Sequence, residues 1–99
     1  MTTEDPTLED PLLLRHYVER GSEEAFAELV RRHLGLVFSA AFRQLQGDRP
    51  AAEDVSQAVF TELARQAGRL RGHPALPGWL YITPRRLSAH VARHDRRRR

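Results

Sequence analysis

"AEDVSQAVFTELAR", residues 52–65, sets Val55, Val59 and Leu63 four positions apart. That spacing predicts an amphipathic helix with these three side chains on one buried stripe. At about 100° per residue, Asp54, Gln57, Thr61 and Arg65 gather on the opposite face, with Ala58 beside them and Phe60 on the flank. A face that meets only water is served by almost any charged residues. A short Asp-x-x-Gln pair with a small neighbour and an aromatic edge is more particular than solvation requires.

Working outward, the punctuation around this segment is helical. Asp10 and Pro11 predict an N-cap and first helical position for a helix that stops at Gly21. Ser22 caps the next, with Glu23 and Glu24 in its positive first turn, and this helix runs on to Gly47. Phe26, Val30, Leu34, Val37, Phe38, Ala41 and Leu45 give it a broad apolar face, and Gly35 inside it suggests close packing. Asp48 and Pro50 start the third helix, which fades near Gly68. The connector "GRLRGHPALPG", residues 68–78, is rich in glycine and proline, and a last helix starts near Pro77. No β-type alternation of useful length and no internal repeat interrupts this pattern. The expected fold is all-α: a compact bundle of three to four helices, the last one basic.

The 99 residues fit one domain, with 40% hydrophobic residues for a modest core. We divide the chain into a flexible acidic N-terminus (1–9), a helical domain (10–95) and a basic tail (96–99). Cysteine is absent, which excludes a disulfide framework and thiolate metal sites. No apolar run approaches the roughly 20 residues that span a bilayer. The start "MTTEDPTLED" lacks the basic and apolar parts of a secretory signal. A cytoplasmic protein is the expectation. Twelve of the thirteen acids but only six of the sixteen arginines precede Arg65; ten arginines and one acid follow from there. One stretch thus carries −6 and the other +9, a division that suits a polyanion at one end and a different partner at the other.

The basic end repeats the pattern of a stripe set apart from a core. Leu80, Leu87 and Val91 share one face of the last helix, while Trp79, Arg86, His90, Arg93 and Arg97 form a stripe roughly 100° away. Guanidinium groups neutralise phosphates, and an indole stacks on an unpaired base or, alternatively, fills the core. Pro84 removes the bond to the Leu80 carbonyl and predicts a kink, or a restart capped by Thr83. His90 and His94 stand at i, i+4 with His73 as a third nitrogen, but the surrounding arginines repel a cation, so no metal is expected. No phosphate loop, no elbow-type serine and no catalytic set is present, and neither an enzyme nor a cofactor is expected.

Three stretches, "GSEEAFAELVRRHLGLVFSAAFRQLQGD", "AEDVSQAVFTELAR" and "GWLYITPRRLSAHVARHDRRRR", resemble in order region 2 of the sigma-70 family. Within it they are most similar to the extracytoplasmic-function (ECF) group of bacterial RNA polymerase sigma factors. The resemblance covers nearly everything from Leu12 onward. It implies that the third helix docks on the β′ clamp coiled coil of core polymerase through Asp54 and Gln57, with Ala58, Phe60 and Thr61 around them. The family often has Glu where this chain has Ala58, which would weaken one contact. It further implies that the connector and last helix recognise the promoter −10 element and hold the non-template strand. Those positions correspond to Arg69, Arg71 and His73, then Trp79, Arg86, His90, Arg93 and Arg97. Members typically have another residue at Pro84. Full sigma factors of this group add a second domain (region 4) that reads the −35 element. It is expected to be absent from this chain, which stops at Arg99, so binding would be weaker. The alternative is a sigma-like interaction domain without promoter activity, sequestering an anti-sigma factor or competing for the clamp.

Overall fold

The helix read around Val55, Val59 and Leu63 is the middle of a longer one, and those three side chains are indeed buried. The computed structural model describes residues 8–71 and 76–98, with side chains as far as His94. It contains α1 (Asp10–Arg20), α2 (Glu23–Gln44), α3 (Arg49–Leu70) and α4 (Leu76–Arg98), and no strand among the described residues. The chain is an all-α bundle measuring 51 × 22 × 18 Å.

Side-chain caps and left-handed residues set most boundaries. Ser22 Oγ accepts from Ala25 N at 3.1 Å and Asp48 Oδ1 accepts from Ala51 N at 3.1 Å, each filling an orphan donor of a first turn. Gly21 closes α1 in the left-handed region, with φ 65°. Several expected boundaries shift. Glu9, not Asp10, is the N-cap of α1, because its carbonyl takes the Leu12 and Leu13 amides. α2 ends at Gln44 instead of reaching Gly47, since Gln46 and Gly47 both turn to positive φ. α3 runs past Gly68 to Leu70, held there by burial of Ala67 and Leu70. α4 continues through Pro84 as one helix, so there is no restart, and Thr83 is buried mid-helix instead of capping. The proline ring is fully buried, and the Arg85 guanidinium donates to the Tyr81 carbonyl at 2.6 Å, adding a bond within the affected turn.

The core takes Leu13 and Leu14 from α1, Leu29, Val37 and Ala41 from α2, Val55, Val59 and Leu63 from α3, and Leu76 and Leu80 from α4. Each buried leucine contributes about 1.5–3 kcal/mol. Two expectations about α2 fail here. Leu34 is 44% exposed, because the interior is filled by the stripe one residue earlier, Ala25 and Leu29 then Val37 and Ala41. Gly35 is exposed, and a Cβ there would meet nothing within 4 Å, so close packing within the bundle is not its purpose.

Charged pairs fasten α1 at both ends. Asp10 accepts from Arg32 Nη1 at 3.1 Å and lies 2.6 Å from His33 Nε2. At the other end, Arg71 Nη1 donates to Glu19 at 3.2 Å. No helix is long and apolar enough to cross a membrane among the described residues.

Candidate functional site

Asp54, Gln57, Ala58 and Thr61 are all exposed on α3, and Phe60 is buried beneath them. They do not form one patch. Gln57, Phe60 and Thr61 line a groove between α2 and α3 with a cavity volume of about 1000 Å³. Asp54 and Ala58 turn the other way, into a smaller cleft of about 320 Å³ between α3 and α4, shared with Leu87 and His90.

The large groove lies where the second of two apolar stripes on α2 packs against the core on one side and is left partly uncovered on the other. Phe26, Val30, Leu34 and Phe38, spaced four apart, line the groove, with Gly35 leaving bare backbone beside them. Phe38 stacks with Phe42 at 5.5 Å between centroids, and the Arg49 guanidinium lies over the Phe38 ring at 5.4 Å. Arg31, Arg49 and Glu53 join Gln57 on the polar rim. The arrangement suits an amphipathic helix laid along the groove, apolar side down and polar edge against the rim. Sequence reasoning merged this stripe with Val37, Ala41 and Leu45 into one broad apolar face. The available signal was that two adjacent i, i+4 apolar runs are wider than one buried face requires.

α4 carries the second candidate surface. Arg86, His90 and Arg93 are exposed and gather within one sector of the helix, as the spacing predicts. Ile82, 57% exposed, sits in the same sector and was not anticipated. Trp79 is half-buried against the core, so its indole is divided between the two roles considered for it. Most arginines outside α4 differ from those on it in what they face. Arg15, Arg31, Arg32, Arg49, Arg65 and Arg71 each pair with a carboxylate. Arg86 and Arg93 pair with none among the described residues, and Arg85 packs on Tyr81. Unpaired cations on one helix face are free to meet phosphate. Arg69 is exposed, donating to Gln66 at 2.9 Å, whereas Arg71 is engaged by Glu19. His73 and the Arg97 side chain lie outside the described residues.

Glu28 anchors the charge network behind these surfaces. It accepts from Arg31 and, at 2.9 Å, from Arg32. The hydrogen bonds from Arg31 and then Arg32 hold its carboxyl below the usual glutamate value, and Glu28 in turn raises Arg32. Among the described residues, no three histidine, aspartate or glutamate side chains converge to hold a metal ion.

Comparison with known proteins finds a match to the family model for sigma-70 region 2 over residues 29–98, from within α2 to the end of α4. No curated protein and no solved structure matches the chain. Region 2 is a non-enzymatic transcription domain whose general role is RNA polymerase binding and promoter melting. The match takes in well over half of the sequence and all of α3 and α4, so the chain belongs to the sigma-70 family as a region 2 domain.

Proposed function

We propose that this chain is the region 2 module of an ECF-type sigma factor. In this reading α3 and the α2–α3 groove dock on the β′ clamp coiled coil, while α4 holds the opened −10 non-template strand. The observation that carries it is the separation of the two surfaces. An apolar groove with the polar rim Gln57 and Thr61 lies on one side of α3, and the exposed Arg86 and Arg93, with no carboxylate partner among the described residues, lie on α4. Unstacking a base costs a few kcal/mol. Stacking on an aromatic returns about 1–3 kcal/mol per base, and arginine–phosphate contacts hold the strand. Asp54 and Ala58 extend the clamp-facing edge around α3 towards His90. Such a module acts where polymerase acts, in the bacterial cytoplasm, and an anti-sigma protein would compete for the same groove.

The test measures two affinities of the full chain, one for core polymerase and one for a single-stranded −10 oligonucleotide. Asp54→Ala and Gln57→Ala are expected to weaken polymerase binding about tenfold and leave the oligonucleotide affinity alone. Arg86→Ala and Arg93→Ala are expected to do the reverse, each lowering the salt dependence. Polymerase binding without any salt-dependent affinity for the oligonucleotide would overturn the promoter half. It would leave an interaction domain that occupies the clamp groove, a reading favoured only by the groove's apolar lining.

A further inference from the structure

Leu34 and Gly35 stand side by side on the outer stripe of α2, and the packing of the bundle accounts for neither. Leu34 is 44% exposed, and a Cβ added at Gly35 would meet nothing within 4 Å among the described residues. Both line the α2–α3 groove. One is an apolar knob without a hole, the other a hole without a knob. A face that carries both next to each other is complementary to itself. In a two-fold pair the knob of each copy enters the hole of the other.

The rest of the face agrees. The groove suits a helix with apolar residues four apart, and α2 is such a helix. Phe26, Val30, Leu34 and Phe38 line the groove and also form the ridge that a second copy would present. The rim carries both signs, Arg31 and Arg49 beside Glu53. Arg49 and Glu53 lie 3.8 Å apart with side chains 69% and 60% exposed, so their own pairing is weak and each is available to a partner. A rim of one sign repels its own copy, whereas this one offers each charge its opposite. We propose that two copies of this chain pack groove to groove about a two-fold axis near Leu34 and Gly35, each covering the other's apolar stripe. Gly35 then has a purpose outside the bundle: its bare backbone lets the second α2 come close. The dimer does not depend on the clamp reading above. That it also hides the clamp-facing edge, so that polymerase draws on the monomer, does rest on that reading.

The experiment follows the mass of the full chain against concentration by sedimentation equilibrium, without polymerase. A monomer–dimer equilibrium is expected. Gly35→Leu fills the hole with a better helix former, so it should raise Tm in a dilute melt and yet weaken the dimer about tenfold or more. Glu53→Arg leaves the rim with one sign and should weaken the dimer about tenfold, more so at low salt. Core polymerase added to the wild-type dimer is expected to form complexes that hold one copy of the chain. A chain that stays monomeric up to about 1 mM overturns the inference and leaves the clamp reading standing. A dimer indifferent to both variants overturns it as well, because such a dimer uses another face. Polymerase that binds the dimer intact overturns the shared use of the groove. Polymerase that binds neither form, while the dimer responds to both variants, overturns the clamp reading alone.

Discussion

Ser56 and Ser88 place the same hydroxyl in the same interior and meet different surroundings. Ser56 donates to the Ala52 carbonyl one turn back, at 2.8 Å. Ser88 is fully buried, and its hydroxyl has no partner among the described residues. A buried donor left unmade costs about 1–3 kcal/mol. Ser88→Ala is therefore expected to stabilise the fold by about 1 kcal/mol, raising Tm by about 4–8 °C in a thermal melt, whereas Ser56→Ala should not. Glu28 gives a second prediction at this scale. Its carboxyl sits below the ordinary value of 4.5 because Arg31 and Arg32 donate to it. A carboxyl lowered in the folded state contributes stability that is present above its unfolded value and is lost as pH falls through the folded one. Acidification below 4.5 should lower Tm, and Glu28→Gln should flatten that part of the pH profile.

At the scale of the element, α2 decides how the two faces are allotted. Leu29 is fully buried, and Leu29→Ala is expected to cost about 2–5 kcal/mol in a denaturant titration. Leu34→Ala, on the groove, should cost under about 1 kcal/mol yet weaken polymerase binding. Equal losses of stability would show the groove stripe to be core after all. The join between α1 and α3 makes another expectation. Glu19 holds Arg71, and both side chains are nearly half exposed, so the pair adds little to stability. Glu19→Gln should leave the melt unchanged while freeing Arg71, and steepen the salt slope for a single-stranded oligonucleotide by about 0.7. What the sequence made legible follows from the same physics. The Val55–Leu63 stripe and the exposed Asp54, Gln57 and Thr61 were readable because α3 has one apolar face. The α2 groove was not, because periodicity locates apolar faces without saying which of two a neighbour covers. Pro84 misled for a related reason. Local propensity argues for a break, but burial of its ring and the Arg85 bond to Tyr81 outweigh it. Tyr81 and Arg85 were overlooked although their i, i+4 spacing on α4 makes them neighbours.

Across the whole molecule, charge and shape run together. The stretch from Arg65 onward carries the excess of arginine, and the described part of α4 presents it without compensating carboxylates. The body before it is acidic, and four of its six arginines are engaged by Glu19, Glu28, Asp10 or Glu53. The cross-section is only 22 × 18 Å, about two helix diameters. Consecutive residues of α3 therefore face opposite flanks: Asp54 and Val55 border the cleft towards α4, Ser56 and Gln57 the groove towards α2. α3 is a party wall one helix thick. A guest leaning on one side presses on the room next door, so enzyme grip and promoter grip are expected to feel each other with no relay between them.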